Sequence, residues 1–306
     1  MPPSPRVLVS LLDDAQENQR HQAATARSAG QRAGLEVEVL YAKSNPVLQL
    51  QQIFRAITGP EAARPTAIVA ETGSASGFEG AARAALQAGI GWVLVSDSAP
   101  YLETLRREHP GRLIASAAVD DAEVGRIQAR LIRTLLPQGG SVLTVEGPPE
   151  SAATLHRRKG LEEGLKGSTC QVVKALTADW GTEGATQAVS LWLRLAARGR
   201  RPDLVCAQND LMGAGARRGL EAVKPQWADL PIIGCDGLAE GGQRLVRERV
   251  LTATVVTGST AAPGVELVAR ALRGEAVPPQ TVITPRPYPA LDELSRRAVL
   301  AGTGRS

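Results

Sequence analysis

Cysteine is scarce in this chain: three residues among 306, Cys170, Cys206 and Cys235, odd in number and unclustered. They provide neither a disulfide framework nor zinc-ligand spacing, and two of them belong to apolar runs as small hydrophobes. Histidine is as rare, and His21, His109 and His156 lie far apart, each reading as a surface residue. No apolar run approaches the roughly 20 residues of a membrane helix. The sequence also lacks a G-x-S-x-G elbow, a P-loop, an H-E-x-x-H pair and a C-x-x-C pair. Gly213, Gly215 and Gly219 fall inside a helical pattern instead of opening one after a strand, so they make no dinucleotide fingerprint. No nucleophile, metal or cofactor is expected, and no enzymatic activity. The formal charge of +4 is small, and the basic clusters at 126–133 and 198–201 fall at helical spacing or helix ends, where a solvated face is the simpler reading. Nucleic acid is not an expected partner. The opening MPPSPRVLVSLLDD has no secretory pattern, only a strand-like run at 6–12 closed by Asp13 and Asp14. As it stands the sequence is expected in the cytoplasm, or in the periplasm if it begins after processing.

What is present is an ordinary globular composition, 43% apolar and 22% charged, in a chain long enough for two domains. Short apolar runs alternate with helical patterns. Residues 6–12, 36–41, 67–70, 92–96 and 113–117 read as strands, with helices at 19–33, 46–58 and 77–88 between them. A long helix from Asp120, ended by Pro137 and Gly139-Gly140, leads into a second series. Its strands are 141–145, 171–175, 204–207, 231–234 and 253–256, and its helices 151–165, 182–197, 211–222 and 240–247. A helix at 262–273, a Pro-broken stretch to Pro289 and a short polar end follow, with 302–306 frayed. This pattern predicts an α/β protein of two doubly wound parallel-sheet lobes, one formed by 1–118 with 258–282 and the other by 119–257 with 283–306. No residue-level repeat relates the halves.

Parallel strands put their carboxyl ends on one edge, which is where open α/β sheets bind small molecules. Polar residues recur there: Asp13, Asp14, Glu71, Thr72, Asp97 and Ser98 in the first half, Glu146, Asn209, Asp236 and Thr257 in the second. Each Asp is equally well placed to cap a helix, but as a set they point to a binding cleft. Arg157 is a fork of donors near a helix start, able to hold two oxygens, with an ordinary surface charge as the alternative; Arg158, about 100° round the helix, reads as solvated. Trp180, in a loop, is either a platform for the C–H face of a sugar or part of a core. Trp92 and Trp192 read as core.

The segment LVCAQNDLMGAGARRGLEA, followed by IIGCDG and LTATVVT, resembles the type I periplasmic binding proteins, in particular the ribose-binding-like sugar group, and also the ligand-binding part of lactose-repressor-type regulators. WVLVSDS, VDDAEVGRIQARLI and SAATLHRRKG occur in the family's order, so the likeness covers nearly the whole chain. The resemblance implies two lobes joined by a three-crossover hinge that close over a ligand in the cleft between them. It places ligand contacts on Asp97, Arg157, Asn209 and Asp236, with Thr257 where sugar binders often carry glutamine and Ser98 where they often carry arginine. The loop after the first strand departs from the family, leaving Asp14, Gln16, Asn18 and Gln19 as candidates. No helix-turn-helix precedes that strand, so a complete repressor is not expected. The expected function is a solute-binding protein for a monosaccharide or polyol, monomeric, partnered by an ABC permease or a sensory protein. The rival reading is a cytosolic enzyme that uses the Asp pair as acid and base on a small polar substrate.

Overall fold

The computed structural model describes residues 4–72, 75–96, 99–196 and 201–303. The chain forms two compact units, 1–119 with 259–283 and 120–258 with 284–306, and passes from one to the other three times.

In chain order the first unit opens with β1 (Arg6–Leu11), α1 (Glu17–Ala33), β2 (Glu36–Tyr41), α2 (Pro46–Thr58), β3 (Ala67–Glu71), α3 (Glu79–Gln87), β4 (Gly91–Val95), α4 (Tyr101–Glu108) and β5 (Ile114–Val119). The second unit follows with α5 (Asp121–Leu135), β6 (Gly140–Glu146), α6 (Ala152–Leu165), β7 (Cys170–Thr177), α7 (Thr182–Ala196), β8 (Leu204–Ala207), α8 (Asp210–Val223), β9 (Ile232–Ile233), α9 (Gly242–Arg247) and β10 (Thr254–Val256). The chain then returns to the first unit for α10 (Ala261–Leu272) and β11 (Gln280–Ile283), and ends in the second with β12 (Arg286–Tyr288) and α11 (Leu291–Thr303).

The first sheet runs β2-β1-β3-β4-β5-β11, all parallel. Its central strands are apolar without alternation because helices cover both faces: β3 and β4 are buried at every residue, while the edge strand β2 alternates. One face packs α1 and α10 through Ala23, Ala26, Val265 and Val268 over Val9, Val69 and Val93; the other packs α2, α3 and α4 around Trp92. Helix starts follow local chemistry. Asn45 caps α2, its Oδ1 accepting from the Val47 and Leu48 amides at 2.9 and 3.1 Å, with Pro46 at the first helical position, where no amide is needed.

The second sheet runs β7-β6-β8-β9, all parallel. Bridges from Ile233 to Ala253 and from Asp236 to Val256 extend it to β10, which pairs antiparallel with β12. The strand order is therefore the same in both units, except that the last strand is parallel in one and antiparallel in the other. In the second unit α5 and α6 approach backbone to backbone: a Cβ on Gly160 would overlap the Ala122 carbonyl, and one on Gly125 the Arg157 carbonyl.

Two regions differ from the sequence pattern. The stretch after α10 is not merely Pro-broken, since it holds β11, β12 and α11. Both strands lie at sheet edges, where prolines such as Pro287 cost no ladder bond. Helix α4 was not foreseen either, because eight residues with three buried side chains, Tyr101, Leu102 and Leu105, carry too little periodicity.

Candidate functional site

In the second unit the carboxyl ends of β6, β7, β8, β9 and β10 share one edge, and Arg157 reaches it from α6. It lies on the helix face that also carries Thr154, Gly160 and Leu161, and it is buried. Its Nε donates to Asp121 Oδ1 at 2.7 Å and its Nη1 to the Gln208 carbonyl at 2.5 Å. The guanidinium carbon stands 5.8 Å from the centroid of the Trp180 ring. Burial works against the charge of Arg157, while the Asp121 and Asp236 carboxylates favour it and hold its pKa above the ordinary value. Burial also pushes the Cys235 thiol well up, so that group is neutral and the two carboxylates carry the compensation. Arg157 is not a surface charge. Arg158, expected to be solvated, is half-exposed yet paired: its Nε donates at 2.8 Å to Glu146 Oε2, and Glu146 is buried.

Asp236 and Trp180 share a feature that sequence alone does not display. Both have positive φ, 101° and 68°, a backbone region that side-chain-bearing residues rarely occupy and that costs of order 1–3 kcal/mol. Each is held there by its surroundings. The Asp236 amide donates to Val255 O at 3.0 Å, and its carbonyl accepts from the Thr257 amide at 3.2 Å. One residue on, the Gly237 amide donates to Asp210 Oδ2 at 2.7 Å, while Asp210 Oδ1 accepts from Thr254 Oγ1 at 2.5 Å. Asp210 is itself buried, so this turn is fixed by a charged acceptor out of water. The Trp180 carbonyl accepts from Asn209 Nδ2 at 2.9 Å, and its ring lies directly on Gly147, where a Cβ would overlap it. The ring is partly buried at the margin of the second unit's apolar cluster, so core contact and exposed surface coexist in one residue.

Asn209 and Thr257 are engaged within the chain. Asn209 Oδ1 caps α8 by accepting from the Met212 amide at 2.8 Å, and Thr257 Oγ1 lies 3.5 Å from the Asp236 carbonyl. Both side chains are buried at the same edge as Arg157.

In the first unit the candidates after β1 divide in the same way. Gln19 is buried and bonded at both ends of its amide: its Oε1 accepts from the Leu12 amide at 3.0 Å and its Nε2 donates to Glu71 Oε1 at 2.8 Å. Gln16 is the N-cap of α1 but makes no capping bond with its side chain. Asp14 is exposed, its carbonyl accepting from Arg20 Nη1 at 2.7 Å. Asn18 has its Oδ1 buried without a partner. Asp97 and Ser98 lie outside the described residues, directly after Ser96, which has a φ of 70° and whose Oγ is 2.9 Å from Thr260 Oγ1.

The residues missed from sequence are the ones that hold these in place: Asp121, Gln208 and Asp210. Their signal was present, because each sits in or next to a quoted motif, but a carboxylate that braces a neighbour looks in sequence like one that meets solvent. Among the described residues no group of three or more His, Cys, Asp or Glu side chains is placed to hold a metal. The edge offers a fixed cation, carboxylates and an aromatic surface, which is binding chemistry.

A family model described as the periplasmic binding protein domain matches residues 12–276. The chain belongs to this family. The likeness carried by the AQND and GCDG motifs is thus borne out, as is the α/β fold of two parallel-sheet units. The family is one of solute binders rather than enzymes. Among the relatives of this periplasmic binding protein, a xylitol-binding protein from Mycolicibacterium smegmatis is 30% identical over 131 residues, 42% of this chain. The match spans 36% of that relative's own length, and 63% of a second curated relative, from Rhizobium meliloti, at 26% identity over 206 residues. Among solved structures, an ABC transporter periplasmic solute-binding protein from Actinobacillus succinogenes with bound D-allose has a TM-score of 0.81 at 19% identity, covering 96% of this chain and 100% of that one. The Caulobacter myo-inositol binding protein has a TM-score of 0.77 at 20% identity, covering 95% of each chain. At such identities these structures share the fold.

Proposed function

We propose that this chain is a solute-binding protein for a small neutral polyhydroxylated ligand, a monosaccharide or polyol. Asp236 accepts hydrogen bonds from ligand hydroxyls, Arg157 donates to a ligand oxygen and Trp180 lies against the ring or carbon chain. Asn209 and Thr257 contribute at the same edge, and Asp14, Gln16, Asn18 and Gln19 at the corresponding edge of the first unit, with Asp97 and Ser98 following from the family likeness. The observation that carries this reading is the trio of Arg157, Trp180 and Asp236. It comprises a buried cation already balanced by two carboxylates, beside two residues held at positive φ. Because Asp121 and Asp236 already offset Arg157, the edge favours a neutral ligand over an anion. The relatives' printed ligands, xylitol, D-allose and myo-inositol, are of that class.

In this reading the chain works as a monomer in the periplasm and delivers its ligand to a membrane permease of the ABC type. What supports the periplasmic and transport parts of this reading is the family's periplasmic description and the transporter named for the D-allose protein. Among the described residues no helix is long and apolar enough to cross a membrane itself.

The test is a melting screen against neutral sugars and polyols. A ligand at a hundredfold excess over its Kd should stabilise the protein by about 2.7 kcal/mol and be recovered unchanged. Asp236→Asn is the informative variant, since Asn tolerates positive φ and the near-isosteric change removes the charge and exchanges one acceptor oxygen for a donor. It should lower affinity at least about tenfold and leave the ligand-free melting point near wild type. Undiminished affinity in Asp236→Asn would remove Asp236 from the site, and a wild-type protein that no such ligand stabilises would defeat the function.

A further inference from the structure

A residue's φ and ψ are set by how the two peptide planes that flank it are turned, so a rare conformation persists only where both planes are held. Around Asp236 each plane is held at both ends. In the plane before it, the Asp236 amide donates to the Val255 carbonyl at 3.0 Å, and the Cys235 carbonyl accepts from the Asp210 amide at 2.7 Å. In the plane after it, the Asp236 carbonyl accepts from the Thr257 amide at 3.2 Å, and the Gly237 amide donates to Asp210 Oδ2 at 2.7 Å. One end of each plane is thus tied to β10 or the residue after it, and the other end to Asp210, once through its backbone and once through its carboxylate. That carboxylate is itself confined. Thr254 Oγ1 donates to its Oδ1 at 2.5 Å, and a Cβ on Gly234 or Gly242 would overlap its oxygens. Asp210 is enclosed, whereas Asp236 is partly open to solvent.

We propose that Asp210 is a positioning residue of the binding site, which makes no ligand contact and sets the direction in which Asp236 offers its carboxylate. This rests on the solute-binding reading above and adds to it the residue that aims the acceptor. Without the Asp210 carboxylate the Gly237 amide loses its acceptor, and the plane after Asp236 is held at one end only. Asp236 is then free to relax towards the negative φ that side-chain-bearing residues prefer, which turns its side chain away. The bonds matter here more than the charge. An amide at position 210 keeps them, because its oxygen accepts from Gly237 while Thr254 Oγ1, which both donates and accepts, takes a proton from its nitrogen.

The experiment is calorimetric titration of Asp210→Ala, Asp210→Asn and Thr254→Val, each in the wild-type and the Asp236→Gly background, with xylitol, D-allose and myo-inositol. Melting shifts at raised ligand concentration extend it to the weakest variants. The Asp236→Gly change tolerates positive φ and leaves no side chain to aim. For whichever ligand wild type binds, Asp210→Ala should lower affinity about tenfold and Asp210→Asn less than about threefold. In the Asp236→Gly background Asp210→Ala should cost less than about twofold, because the two residues act as one unit. A merely structural role would lower affinity equally in both backgrounds. That result, or an Asp210→Ala protein that binds as wild type does, overturns the inference and leaves the solute-binding reading standing. Should Asp210→Ala not fold, Thr254→Val decides: a loss of about threefold that disappears in the Asp236→Gly background supports the inference, and an undiminished affinity or an equal loss in both backgrounds overturns it. If wild type binds none of the three, the solute-binding reading fails first and this inference with it.

Discussion

The two units solve one construction problem in different chemistry. In each, the helix after the sheet's second strand in space, α1 or α6, uses its sixth residue to hold the start of the helix with which the chain has just entered that unit. In the first unit this residue is Gln22. Its Oε1 accepts from Ser259 Oγ at 2.6 Å and from the Thr260 and Ala261 amides at 3.0 and 2.9 Å, and so caps α10, whose own N-cap residue Thr260 makes no side-chain capping bond. In the second unit the residue is Arg157. There α5 is capped by its own Asp120, whose Oδ1 accepts from the Glu123 amide at 2.8 Å, which leaves Asp121 to pair with the guanidinium. One joint is a neutral amide completing backbone bonds. The other is an ion pair that also presents a charge beside Trp180. The strained positions correspond as well: Lys43 and Ser44 after β2 match Trp180 after β7, and Ser96 after β4 matches Asp236 after β9. The scaffold places irregular backbone at the same points in both halves, and the side chains there decide what each half contributes.

The sharpest way to break this comparison is to remove one partner of the charged joint. Asp121→Leu leaves Arg157 buried without its closest carboxylate, the side chains of the pair being 10% and 9% exposed, and should destabilise the protein by about 3–5 kcal/mol in urea denaturation. Asp121→Leu combined with Arg157→Met should recover much of that loss while binding stays weak. If the single change costs no more than a surface substitution, the joint is not a buried ion pair in function. The neutral joint should give a smaller effect. Gln22→Leu strips the Thr260 and Ala261 amides of their acceptor, at a cost of about 1–3 kcal/mol in the same measurement. A cost equal to that of Asp121→Leu would erase the contrast between amide and ion pair.

Much of this architecture was legible in sequence because parallel strands covered on both faces are uninterrupted apolar runs. Arg6 to Leu11 and Leu204 to Ala207 are buried at nearly every position and stand out without any need for alternation. The edges were not legible. Pro287 sits inside β12, and a proline in a short polar stretch reads as a break until the antiparallel partner at Val255 is known. At the site, residue types were visible but their orientation was not. Arg157 and Arg158 are adjacent, and helical geometry alone turns them about 100° apart without saying which faces inward; the glycines that let α5 and α6 touch bring Arg157 in. Asn209 was read as a ligand donor on the strength of its motif, and the structure shows its amide also capping α8 and holding Trp180, a dual engagement no spacing reveals.

The weakest expected effect concerns the histidines that precede these two joints, His21 and His156, each the fifth residue of its helix. His156 is exposed, whereas His21 is half-buried, and burial lowers its pKa, with Glu17 four residues earlier pulling part of the way back. A histidine whose folded pKa lies below its unfolded value of about 6.5 takes up its proton more readily in the unfolded chain. Between those two values the unfolded state holds more protons, so stability rises with pH across that window and is lost as pH falls below about 6.5. Scanning calorimetry of wild type should therefore show a modest decline in melting temperature on acidification from neutral pH, before the carboxylates titrate. His21→Gln should flatten that decline, since the replacement carries no proton to exchange. Parallel curves for wild type and His21→Gln would mean that the environment of α1 does not distinguish the two protonation states, and the asymmetry between the units would then be confined to Gln22 and Arg157.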